Sequence, residues 1–351
     1  MTVPSFGMRP GSFPRALACL LLATLAACGS RPPSPAPVVP DATGTTTSAP
    51  PIRIGIALGG GAAKGFAHIG VIKMLEANGF APSVVAGTSA GSVVGALYAS
   101  GMNAFELQEK AVALDEARIR DLQLSSGGLV LGQKLEDYVN EQVRRKPLEQ
   151  LAKPFVAVAT RLEDGERTVF ARGNTGQAVR ASSSVPGVFQ PVTIGKYHYV
   201  DGGIVSPVPV DAARQLGADV VVAVDISNKA RGQTPSHLLG ALNQSIAIMG
   251  QKLGQAELAR ADITIRPQVL DMGPADFTQR ASAIVEGEKA ALAVMPQLRE
   301  RVAKLQAERA QAVRQAQQKA AEAEHKACLE NRSRLQKLAG TVGLDGSCER
   351  P

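Results

Sequence analysis

The chain has 351 residues, with 38 Lys and Arg against 31 Asp and Glu and a formal net charge of +7. Aromatic residues are scarce, at 4%, and do not interleave with basic clusters, which excludes a base-stacking platform and argues against nucleic acid as a partner. The mild basic excess suits an anionic lipid surface instead.

The N-terminal segment reads as a leader rather than part of a fold. Arg9 and Arg15 precede "ALACLLLATLAAC", an apolar run too short to span a bilayer comfortably and flanked like a secretory signal. It ends Leu25, Ala26, Ala27, Cys28, Gly29, which resembles a bacterial lipobox. That resemblance implies a signal peptide over 1–27, a lipidated Cys28 bearing palmitate or a similar acyl chain, and sorting to the periplasmic face of the outer membrane. The alternative is an ordinary signal peptide with an incidental cysteine. Ser30 to Pro51 is rich in Pro, Ser and Thr without apolar periodicity, so 28–51 reads as a tether. Cys328 and Cys348 are then the two remaining thiols, either free on a tail or closing a C-terminal loop in an oxidising compartment.

From Ile52 apolar runs alternate with helical patterns. Strands are expected over 52–58, 83–86, 155–162 with 167–171 as a pair, 197–201, 218–227 and 261–267. Helices are expected over 66–78, 90–99, 103–116, 132–145 and 209–217. Unbroken Val/Ile strands between helices imply a three-layer α/β/α sandwich with a mostly parallel sheet, over 52–294. From Met295 the composition shifts to Ala, Gln, Glu, Lys and Arg, so 295–351 reads as a long, largely solvated helical extension. Residues 102–150, with the glycine-bearing "SSGGLVLG", are expected to cover the site described next.

Between the first strand and its helix lies "GGGAAKG", Gly59 to Gly65. It is neither a P-loop, because Lys64 precedes its glycine and no Ser or Thr follows, nor a G-x-G-x-x-G turn, so nucleotide binding is unsupported. What remains is a turn presenting backbone N–H groups to negative charge, an oxyanion included. The next strand-to-helix junction carries "GTSAG", in which Gly87, Ser89 and Gly91 match the nucleophile elbow G-x-S-x-G. Ser89 is either a helix cap or a nucleophile.

A nucleophile needs a base. Of the histidines, His68 reads as structural against the glycine loop, His198 sits on a strand, His325 lies in the tail helix, and only His237 has the chain order of a Ser-acid-His triad. The better candidate is Asp201 in "YVDGGIVSPVP", where Gly202 and Gly203 leave room around the carboxylate. Its competing reading is a turn aspartate in an Asp-Gly hairpin. No metal or cofactor motif is present in the sequence.

The glycine loop, the elbow, the "DGG" and the segment "RASSSVPGVFQPV" before it occur in the order seen in patatin-like phospholipases, which this chain resembles over about Arg53 to Ser227. The resemblance implies serine acyl hydrolysis of lipid esters by a Ser-Asp dyad. Ser89 would be nucleophile and Asp201 base, with the backbone of Gly60, Gly61 and Ala62, joined by Ala90 N–H, as oxyanion hole. Two departures are Ala62 for a more usual glycine and Lys64 for a more usual arginine. A non-catalytic lipoprotein binding lipid or a partner on the same fold stays open as the alternative.

Overall fold

The computed structural model describes residues 49–119, 121–125, 128–227, 238–339 and 348. The expected leader, Cys28, most of the tether and His237 lie outside the described residues. In chain order come β1 (Ile54–Leu58), α1 (Phe66–Ala77), β2 (Val84–Thr88), α2 (Ala90–Ala99), α3 (Ala104–Val112), β3 (Leu122–Ser125), β4 (Gly128–Val130) and α4 (Gln133–Gln142). They are followed by β5 (Phe155–Arg161), β6 (Arg167–Phe170), α5 (Thr175–Ser182), β7 (Val192–Ile194), β8 (Tyr197–Asp201) and α6 (Val210–Gln215). The last elements are β9 (Val220–Val224), α7 (Leu238–Leu258), β10 (Ile263–Ile265) and α8 (Arg280–Ala339).

The strands form an eight-stranded sheet in the order β10-β9-β1-β2-β5-β8-β7, with β6 also on β5. From β10 to β5 the neighbours are parallel, whereas β6 pairs antiparallel with the far edge of β5 and β8, itself antiparallel to β7, pairs with the edge of β5 that β2 also uses. Alternation along each strand divides the core. Ile54, Ile56, Leu58, Val222 and Val224 face α1, α2 and α8, while Ala57, Val221 and Ala223 face α6 and the end of α7. Both faces are covered, so β1, β2 and β9 are buried at every position and read as continuous apolar runs. The expected three-layer α/β/α sandwich is the observed one.

The long helix begins at Arg280, not Met295. Ala283, Ile284, Ala291, Met295, Leu298 and Val302 are buried in the core that α8 shares with α1 and β10, so the expected boundary at 294 falls inside one continuous element. Two glycines conceal this start. A Cβ on Gly287 would lie 2.0 Å from the Ala67 carbonyl oxygen, and one on Gly70 would lie 1.9 Å from that of Ile284. Glycine there reads as a helix breaker, yet it is what lets the two backbones approach. Beyond Leu305 most positions are exposed, as expected of a solvated helix, and Cys328 is disulfide-bonded to Cys348.

One other expected element needs correction. The helix over 103–116 ends at Val112 and resumes as a short 3-10 turn, Glu116–Arg118. Two helices were not expected. α5 is short and started by Asn174, whose side chain accepts from Gln177 N–H, and α7 has its apolar pattern interrupted by Gly240, Gly250 and Gly254.

Candidate active site

β2 ends and α2 begins with a single residue between them, Ser89, at φ 53° and ψ −125°. Such backbone costs a non-glycine residue on the order of 1–3 kcal/mol and persists only where its surroundings enforce it. Here they do. Ser89 N–H donates to Ser182 Oγ at 2.9 Å, Ser182 Oγ donates to the Val158 carbonyl at 2.6 Å, and Ser92 Oγ donates to the Ser89 carbonyl at 2.7 Å. The flanking glycines are steric necessities. A Cβ on Gly91 would lie 2.1 Å from the Leu58 carbonyl oxygen, and one on Gly87 would lie 2.5 Å from that of Gly91. The Ser89 side chain makes no capping bond to α2, which removes the helix-cap reading.

Its hydroxyl donates instead to Asp201 Oδ2 at 2.5 Å. Asp201 closes β8, is 6% exposed, and takes a second bond from Gly203 N–H to Oδ1 at 2.7 Å. Its backbone is held on both sides, N–H to the Ser184 carbonyl at 2.9 Å and carbonyl from Thr160 Oγ1 at 2.9 Å. Gly202 follows in a short 3-10 turn leading toward α6, so Asp201 is not a hairpin turn residue. Burial pushes the carboxyl up to about 6, against the lowering effect of the bonds from Ser89 and Gly203. A carboxylate of that basicity, in contact with a hydroxyl, can take its proton.

The glycine loop is held from three directions. Gly59 N–H donates to the Val224 carbonyl at 3.0 Å, Gly60 N–H to that of Pro207 at 3.0 Å, and Ala63 N–H to that of Pro274 at 3.1 Å. The expected role of Gly60 as an oxyanion donor is therefore corrected, because its amide is already committed. What Gly60 supplies is room, since a Cβ there would lie 3.2 Å from Ser89 Cβ. The N–H groups of Gly61 and Ala62 donate to no backbone or side-chain acceptor among the described residues. Ala90 opens α2, where the first N–H groups of a helix lack intrahelical partners. Ala62 has φ 55°, the backbone that the family's usual glycine adopts freely.

His68 is fully buried, and desolvation lowers its pKa to about 4. The neutral ring donates from Nε2 to the Gly59 carbonyl at 2.8 Å, so its role is structural, as expected. His198 is exposed and bonded to Glu163 at 2.8 Å, and His325 lies in the distal part of α8. Lys64 is buried within the loop. Ser182, Thr160 and Thr88, whose Oγ1 donates to the Ser206 carbonyl at 2.8 Å, were not singled out from sequence. The only signal for Ser182 is its place in "RASSSVPGVFQPV".

Ser89 and Asp201 open on a cavity of about 780 Å³, the size of a small-molecule pocket. Its walls are mostly apolar and include Phe66, Ile69 and Leu97 from the domain and Leu107, Leu114 and Leu135 from the segment 102–150. That segment covers the site as expected.

Residues 56–214 match the family described as patatin-like phospholipase. An uncharacterised NTE family protein of Mycobacterium tuberculosis is 36% identical over 182 residues, 51% of this chain and 51% of that protein. Lysophospholipase NTE1 of Pyricularia oryzae is 27% identical over 279 residues, 70% of this chain and 19% of that one. This chain thus spans about half the length of the mycobacterial relative and a smaller part of the fungal one. Among solved structures, VipD from Legionella pneumophila has a TM-score of 0.48 and 16% identity, covering 70% of this chain and 67% of its own.

Proposed function

We propose, from the match of residues 56–214 to the patatin-like phospholipase family, that the chain hydrolyses lipid acyl esters through Ser89 and Asp201. The observation that carries this reading is the 2.5 Å bond between a strained serine hydroxyl and a buried carboxylate. Ser89 Oγ attacks the ester carbonyl while Asp201 accepts its proton. The oxyanion of the tetrahedral intermediate faces the free N–H groups of Gly61 and Ala62, with Ala90 N–H beside them. Asp201 returns the proton to the departing alcohol, leaving an acyl-Ser89 ester. Water, deprotonated by Asp201, then releases the fatty acid and restores the hydroxyl. The apolar cavity supplies the wall against which an acyl chain packs.

A fluorophosphonate probe tests this by intact mass. One adduct on the wild type, absent in Ser89→Ala and strongly slowed in Asp201→Asn, is the expected result. A folded wild type that takes no adduct favours the non-catalytic lipoprotein, and an adduct lost in His237→Ala favours a triad. The anchoring reading belongs to this proposal too. Lipidation at Cys28 would hold the enzyme by its tether at the periplasmic face of the outer membrane, and incorporation of a clickable palmitate that Cys28→Ala abolishes is the corresponding test.

A further inference from the structure

Glu257 lies on α7, outside every motif named above, and is 5% exposed. Burying a carboxyl is costly unless hydrogen bonds compensate it. Its Oε2 accepts from Val208 N–H at 2.8 Å, and its Oε1 accepts from Ser206 Oγ. These two residues belong to the strap that leads away from Asp201, and the backbone of Ser206 and Pro207 also bonds to three other parts of the site. The Ser206 carbonyl accepts from Thr88 Oγ1 at 2.8 Å, and Thr88 is the residue before Ser89. The Pro207 carbonyl accepts from Gly60 N–H at 3.0 Å, and Gly60 precedes the two free amides of the glycine loop. Ser206 N–H donates to the Gly202 carbonyl at 2.8 Å, next to Asp201.

We propose that Glu257 is a positioning residue for the hydrolysis: from α7 it fixes the strap 202–208, which sets the elbow, the glycine loop and Asp201 relative to one another. The proposal rests on the hydrolase reading and extends it to a group that touches neither substrate nor Ser89. The approach of α7 supports it. Gly250 and Gly254 bring the helix onto Gly203 and Pro207, where an added Cβ would lie 3.7 Å and 3.4 Å away, and Glu257 continues the same face onto Ser206 and Val208. Burial pushes the Glu257 carboxyl up to about 7, with Asp211 of α6 raising it slightly and Arg167 of β6 opposing. In the protonated form the hydroxyl turns donor toward Ser206 Oγ, and the other oxygen still accepts from Val208.

The test compares the full-length wild type with Glu257→Ala, Glu257→Gln and Ser206→Ala on a water-soluble short-chain p-nitrophenyl ester, with thermal unfolding of each. Misplacing catalytic groups by about an ångström costs on the order of 100-fold in rate. Glu257→Ala is therefore expected to lose about 10- to 100-fold in kcat, with KM changed less than about threefold. Glu257→Gln, whose amide still accepts from Val208 and donates to Ser206, is expected to restore kcat to within about threefold of wild type. A folded Glu257→Ala enzyme with wild-type kcat overturns the proposal, as does a loss confined to KM or to the folded fraction without rescue by Gln. If Glu257→Ala does not fold, Ser206→Ala decides, because a folded Ser206→Ala enzyme with undiminished kcat also overturns it. A folded wild type with neither turnover nor fluorophosphonate adduct overturns the hydrolase reading, and this proposal falls with it.

Discussion

Ser89 and Asp201 meet where two strands end on the same edge of a third. β6 lies along one edge of β5, opposite both Val158 and Ala159, so β2 and β8 share the other edge, where Thr88 lies opposite Val158 and Asp201 opposite Ala159. β2 therefore ends where the antiparallel β8 also ends, and two side chains 112 residues apart in sequence meet at that junction in a 2.5 Å contact. Because β8 runs antiparallel, its chain turns away just after Asp201, and Gly202 makes that turn against β5, where a Cβ would lie 2.1 Å from the Val158 carbonyl oxygen.

The first prediction concerns pH. Asp201 accepts a proton only as the carboxylate, and burial raises its pKa from the ordinary carboxylate range to about 6. Ester hydrolysis, read as kcat/KM, should rise with pH through about 6 and level off above it. An ordinary exposed carboxylate would give a rise near 4 instead. A rate already level between about pH 4.5 and 7 would remove Asp201 from the role of base.

The same burial predicts that Asp201→Asn stabilises the fold while disabling the chemistry. A carboxyl whose folded pKa is raised holds its proton more tightly in the folded chain, so its contribution is fully present below the unfolded pKa and is lost as pH rises through the folded one. The window here runs from about 4 to about 6. Above it the ionised carboxylate costs on the order of 2–3 kcal/mol, which Asn does not incur. Asn also keeps an oxygen for Gly203 N–H. Urea unfolding should show the Asn variant gaining on wild type as pH rises from about 4 to 7, the difference cancelling the titrations of His68 and Glu257. A difference that stays constant across that range would contradict the buried-carboxylate account.

How much of this was legible in the sequence depends on how local each cause is. Ser89 can be read because the elbow imposes glycines two residues to either side, and Asp201 because the turn after it needs Gly202. Gly60 cannot be assigned that way. Whether its amide is free depends on the Pro207 carbonyl, which only the folded strap brings near. Glu257 is hidden for the same reason, although an acid among Gly250, Gly254 and Leu258 on one helical face is a signal that a close reading of "IMGQKLGQAEL" offers. The start of α8 is obscured by Gly287, whose meaning comes from α1 across the interface.

Ala62 gives a third prediction. With φ 55°, alanine occupies backbone that favours glycine, and a side chain at positive φ destabilises by more than the roughly 0.4–1 kcal/mol that glycine loses through its freer unfolded chain. Ala62→Gly should therefore raise Tm by a few degrees and leave kcat within about threefold, because the N–H is unchanged. A lower Tm would mean that the Ala62 methyl packs more usefully than the strain costs, and a large loss of kcat would mean that its methyl restrains the loop.

The fourth prediction separates the two parts of α8. A chain ending after Arg314 keeps Ile284, Met295, Leu298 and Val302 in the core, and keeps the pair between Arg309 and Asp219. It should fold and retain its ester hydrolysis, losing only solvated helix and the Cys328–Cys348 bond. A chain ending at Val294, where composition alone places the domain boundary, loses Met295, Leu298 and Val302, which are 3%, 0% and 8% exposed. At about 1.5–3 kcal/mol for each buried apolar side chain, that loss rivals the roughly 5–15 kcal/mol by which whole domains are stable. Soluble yield and a cooperative thermal transition should therefore survive the first truncation and disappear in the second. Equal behaviour of the two would show that the α1–α8 packing contributes little to holding the glycine loop and the elbow in place.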